Sequence, residues 1–76
     1  MNILNRPTIV AYNVKRILRE RKISQKNFAE LNGISYKKLN NKLNGYESVY
    51  PEDIVFFYNS LDCDVNELFK PRVESA

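Results

Sequence analysis

Between Ser24 and Gly45 the chain reads SQKNFAELNGISYKKLNNKLNG. Tyr36, Lys37, Lys38, Asn40 and Asn41, in the second half of this stretch, carry groups that bind phosphates and base edges. An asparagine amide can pair with adenine N6 and N7 together, and a lysine can reach guanine O6 and N7 or a phosphate oxygen. On a helix these residues and Asn44 project away from the face shared by Leu39 and Leu43, which stand four apart. Any solvated helix would show polar residues. Asparagine, however, is a poor helix former, and a bland surface would favour Glu or Lys. Asn40-Asn41 in mid-helix therefore argues for recognition of double-stranded DNA by a helix lying in the major groove.

Other chemistries are poorly served. The chain has one Cys and no His, so neither a Cys/His metal site nor a His-based nucleophile can be built. It shows no paired carboxylates at suggestive spacing and no glycine loop to cradle phosphates. An enzyme is not expected, and no cofactor is implied. RNA binding would call for an aromatic stacking platform that the pattern lacks. The charge is lopsided: residues 1–45 hold ten Lys/Arg and two Asp/Glu, whereas residues 46–76 hold two and seven. The net +8 and −5 mark one basic face, a common footprint of a small nucleic-acid binder. No apolar run of about 20 residues is present to span a membrane. MNILNRPTIV lacks the pattern of a signal peptide, and the single cysteine suits a reducing compartment, so a cytoplasmic location is expected.

The elements that must position these groups read as five helices and no strands. Residues 1–8 form an arm, residues 9–70 one helix-turn-helix domain, and residues 71–76 a frayed tail. Helix 1 runs from Ile9 to about Arg21, with Pro7 and Thr8 near its start and Val10, Val14, Ile17 and Leu18 on one face. Lys15, Arg16, Arg19 and Lys22 are expected in solvent. Ser24 caps helix 2, from Gln25 to about Asn32, which buries Phe28 and Ala29. Gly33 ends it in a left-handed turn, Ile34 plugs the core, and Ser35 caps helix 3, which runs to about Leu43 before Asn44-Gly45. Pro51, Glu52 and Asp53 start helix 4, whose inward stripe is Ile54, Phe57, Tyr58 and Leu61. Asp64 and Glu67 suggest a capping box on a short helix 5 carrying Val65, Leu68 and Phe69. Cys63 reads as a buried, inert thiol. Phe56 reads first as core, with Phe56 or Val55 left over for a partner as the alternative.

Residues 14–69 resemble the Cro/cI-type helix-turn-helix family of phage and bacterial regulators. The residues that carry the resemblance are Ile23-Ser24-Gln25, Ala29, Gly33, Ile34-Ser35, Asn44-Gly45 and the run from Leu61 to Phe69. The resemblance implies an all-α, compact five-helix bundle of lambda-repressor-like type, with helices 2 and 3 as the helix-turn-helix. It implies that Gln25 holds a phosphate, that Tyr36, Lys37 and Asn41 read bases, and that Asn44 holds the backbone across the groove. Ala29 is small because helices 2 and 3 cross there. Ser35, Lys38 and Asn40 complete the expected DNA-binding set. The chain departs from the family at three places. Leu18 and Leu43 replace an Arg–Glu ion pair, a self-consistent exchange of buried charges for packed hydrophobes. Leu31-Asn32 reverses the usual polar-then-Leu order, so Asn32 is either half-buried or just past the end of helix 2. Glu47 stands where some relatives place a DNA-touching Asn; a carboxylate there repels phosphates unless it accepts from cytosine N4.

The expected function is transcriptional regulation by sequence-specific DNA binding, as a repressor of phage or mobile-element type. A protein-interaction module of the same fold, an antirepressor or antitoxin, is the alternative. Relatives bind as two-fold dimers on half-sites about 34 Å apart. A homodimer, formed in solution or only on DNA, would use Ile3 and Leu4, the helix 4 aromatics, or Phe69 and Val73; the C-terminal region, the least basic part of the chain, is favoured.

Overall fold

A computed structural model describes residues 8–72. Its helices are α1 (Ile9–Glu20), α2 (Gln25–Leu31), α3 (Tyr36–Leu43), α4 (Pro51–Ser60) and α5 (Val65–Leu68), with no strand among the described residues. Four begin where a side-chain oxygen takes up an orphan backbone N–H. Thr8 Oγ1 accepts from Ala11 N at 3.1 Å, Ser24 Oγ from Asn27 N at 3.0 Å, Ser35 Oγ from Lys38 N at 3.2 Å and Asp64 Oδ1 from Asn66 N at 2.9 Å. At α4 the reciprocal half of a capping box is present instead: Asp53 Oδ2 accepts from Tyr50 N at 2.8 Å. The box expected at Asp64 and Glu67 does not close, because the Glu67 carboxylate turns to Arg16 and Lys70.

Gly33 and Gly45 take the left-handed backbone that follows α2 and α3, at φ +66° and +86°. Lys22 and Asp62 do the same after α1 and α4, at φ +59° and +51°, without being glycine. Each such residue costs about 1–2 kcal/mol of backbone strain. The terminal carbonyls are satisfied in return: Ile23 N donates to Leu18 O at 2.9 Å, and Cys63 N to Tyr58 O at 3.2 Å.

The core gathers Val10, Ala11, Val14, Ile17 and Leu18 of α1 with Phe28, Ala29, Leu39, Leu43, Phe57, Leu61 and Leu68. Helix α1 packs on both α3 and α5, and α2 packs on α3. Leu18 and Leu43 are both fully buried in this one cluster, as the loss of the charged pair requires. Ile54 and Tyr58 are half-buried against it. Phe56 is not spare: its ring stands edge-on to Phe28 at 6.1 Å and joins α4 to α2. Val55 remains exposed. Of the apolar residues of α5 only Leu68 is buried, while Val65 and Phe69 face outward. Helix α2 ends at Leu31, which is 80% exposed, and Asn32 folds back so that its Nδ2 donates to Phe28 O at 2.8 Å.

A buried polar cluster ties the last helix to the first. Asn13 is wholly enclosed. Its amide donates to Ile9 O at 3.0 Å, Leu68 O at 2.9 Å and Lys70 O at 2.9 Å, and its Oδ1 accepts from Arg16 Nε at 3.2 Å. Arg16 also reaches Glu67 O at 3.2 Å. Four-residue α5 cannot satisfy its own terminal carbonyls, and α1 supplies the donors. Arg16 is thus a structural cation, not the solvated one its position suggests. The segment after α5 does not fray at once, because the Arg72 guanidinium lies 4.9 Å over the Tyr12 ring. Residues 1–7 of the expected arm and residues 73–76 of the tail lie outside the described residues.

Candidate nucleic-acid interface

Helix α3 is amphipathic in a way that fixes its roll. Leu39 and Leu43 are buried beneath it, and Tyr36, Lys37 and Lys38 are exposed at its start. Ser35, which caps the helix, is exposed beside them. Lys42, one turn further on, faces α4 instead. Its Nζ lies 2.6 Å from Asp53 Oδ2 and 5.6 Å from the centre of the Tyr50 ring. That pairing braces the C-terminal half of α3 against the start of α4. No hydrogen bond or ion pair engages the side-chain ammonium of Lys26, Lys37 or Lys38 among the described residues, and all three residues are exposed, so their charge is open to a ligand.

The amides of α3 and its cap are each held. Asn40 Nδ2 donates to Gln25 Oε1 at 3.1 Å, joining the first residue of α2 to the middle of α3. Asn41 Nδ2 donates to Glu47 Oε2 at 3.0 Å. Asn44 Oδ1 accepts from Lys15 Nζ at 3.1 Å. The chemistry of the last two partners decides which end of each amide remains open. A carboxylate only accepts and an ammonium only donates. Asn41 must therefore turn its amine to Glu47, and Asn44 its carbonyl to Lys15. Asn44 is left with two N–H donors, which suits a phosphate oxygen. Asn41 keeps its carbonyl oxygen and one N–H, which suits a base edge.

All eight residues singled out in the sequence, Gln25, Ser35, Tyr36, Lys37, Lys38, Asn40, Asn41 and Asn44, lie on α3, its caps or the start of α2. Gln25, Asn40, Asn41 and Asn44 are half-buried by their partners; the other four are exposed. Two further residues, Lys15 and Glu47, join this set through hydrogen bonds. Lys15 reads as solvated, yet α1 packs on α3 and brings its ammonium to the C-terminal cap, where a cation also suits the helix dipole. Glu47 reads as a misfit, yet it holds Asn41. The only signal for Lys15 was its place one residue beyond Val14 and three before Leu18, the α1 residues buried in the core.

Away from this face, Cys63 is half-buried, and desolvation raises its thiol pKa despite the opposing charge of Arg21. No three His, Cys, Asp or Glu residues are grouped to hold a metal ion among the described residues. No helix of the described residues is long and apolar enough to cross a membrane.

Two helices joined by a glycine turn, the second presenting cations and oriented amides, define a helix-turn-helix DNA-binding domain. Residues 13–73 match the family model of the Cro/C1-type HTH DNA-binding domain, and the chain belongs to that family. No curated protein and no solved structure matches it.

Proposed function

We propose that the chain is a sequence-specific regulator of transcription, a repressor of phage or mobile-element type that works by occupying its operator. One observation carries this reading: the side-chain amides of Asn40, Asn41 and Asn44 are each tied to a separate partner outside α3. A merely solvated face has no use for oriented amides. A reading face does, because side chains already in place lose less entropy on binding. In this reading Tyr36, Lys37 and Asn41 meet base edges, Gln25, Ser35, Lys38 and Asn44 meet the backbone, and Asn40 couples the two through Gln25. The working place is the cytoplasm, with the DNA.

The described residues extend 33 Å along their longest axis. Successive major-groove half-sites lie about 34 Å apart, so two copies on one palindrome would abut. Val55, Val65 and Phe69 are the exposed apolar side chains that α4, α5 and the α5 cap offer to such a contact. Ile3, Leu4 and Val73 lie outside the described residues.

Selection of bound duplexes from random sequence tests the reading, followed by titration on matched and scrambled sites. Asn41→Ala or Lys37→Ala should cost about 1–3 kcal/mol on the preferred site and relax preference at one base pair. Gln25→Ala should weaken all sequences alike. Enrichment of no sequence would overturn the proposal. Unchanged biological activity after loss of Lys37 and Lys38 would favour the protein-interaction module.

A further inference from the structure

Glu47 sits in the turn after α3, where a negative charge opposes phosphates. Two contacts bind it to one residue. Its backbone N–H donates to the Asn41 carbonyl at 3.2 Å, beside that of Tyr46 at 2.8 Å. Its Oε2 accepts from Asn41 Nδ2 at 3.0 Å. The main chain thus fixes where the carboxylate stands, and the carboxylate fixes how the Asn41 amide is turned. The opposite amide orientation would set Oδ1 against Oε2, two acceptors with no proton between them.

The held orientation has a consequence for base choice. Adenine offers an N6 donor and an N7 acceptor in the major groove, whereas guanine offers acceptors at both O6 and N7. An amide free to rotate can turn its amine to guanine. An amide whose carbonyl is kept outward accepts from adenine N6 and meets guanine O6 acceptor to acceptor. Resting on the reading of α3 as the recognition helix, we propose that Glu47 is a positioning residue that makes Asn41 select adenine over guanine. The carboxylate weakens binding to every duplex by its charge and sharpens the choice among them by its hydrogen bond.

The two effects separate by substitution in the full chain. The probes are the duplex found by selection and its A·T to G·C variant at the base pair read by Asn41. Glu47→Ala should tighten binding to the G·C duplex and cut the adenine preference by about fivefold or more, the order of one bidentate contact. Glu47→Gln removes the charge but keeps an acceptor, so both duplexes should tighten while most of the preference survives. In an Asn41→Ala background, Glu47→Ala should leave the remaining preference unchanged. Equal tightening of both duplexes by Glu47→Ala would overturn the inference and leave DNA recognition intact. So would relaxation at a different base pair in the Asn41→Ala background, which would mean that Glu47 reads a base directly. A parent protein with no preference among duplexes would overturn the DNA reading, and the inference with it.

Discussion

Replacing Asn13 with alanine should be among the most damaging single changes in this molecule, and the reason is hydrogen bonding. Its amide bridges α1 to Leu68 O and Lys70 O, both at 2.9 Å. Each bond is worth about 1 kcal/mol net, and a buried carbonyl left without a donor adds about 1–3 kcal/mol. Asn13 is wholly enclosed, so water does not replace it cheaply. The expected loss is about 3 kcal/mol. A domain of this size holds on the order of 4–11 kcal/mol in all. The melting temperature should fall by about 12–24 °C. Urea unfolding followed by circular dichroism gives the free energy directly, and the midpoint should move with little change in slope. Asn13→Leu has the same branched skeleton but no donors, so it should be as damaging as alanine. A loss below about 1 kcal/mol for Asn13→Ala, or recovery of stability by leucine, would show that packing and not donation holds α5 in place.

The other expectations are quicker to state. If Lys26 and Lys38 each meet a phosphate, log affinity should fall against log salt with a slope of about −1.8 per copy, roughly 12-fold between 50 and 200 mM; a slope shallower than about −1 in titrations would misplace the basic face. Leu43→Glu should be severely destabilising, because a carboxylate would enter the core unpaired, and adding Leu18→Arg should recover part of the loss; purely additive thermal losses would show that the two do not meet. A β-carbon at Gly33 meets nothing within 4 Å, so Gly33→Ala should cost only the left-handed backbone term, about 1–2 kcal/mol, and Gly33→Asn clearly less, as read from paired melts. Burial raises the Cys63 pKa, so alkylation near pH 8 should be slower in the folded chain than in urea. The stability that this thiol contributes is present below its ordinary value of 9.0 and is lost as pH rises through the raised one.

Much of the architecture was legible because it is local. Thr8, Ser24, Ser35 and Asp64 announce helix starts by chemistry that acts within three residues, and Gly33 and Gly45 announce stops by a backbone region that other side chains resist. Apolar spacing placed Val10, Val14, Ile17 and Leu18 on one face of α1, and Leu39 and Leu43 under α3. The polar remainder of α3 followed from the same periodicity. What stayed hidden depends on which residues distant in sequence become neighbours. Lys22 and Asp62 take a glycine-like backbone without a glycine, held by the packing of the helices they follow. Asn13 carries no sequence signal, since its acceptors lie 55 and 57 residues away. Val65 and Phe69 share the apolar character of Leu68, and only the docking of α5 on α1 decides that Leu68 alone is buried. Residue type and the family resemblance marked Asn41 and Asn44 as candidates for DNA contact. Which end of each amide faces outward was set by tertiary structure, which brings the charges of Glu47 and Lys15 to within hydrogen-bonding distance.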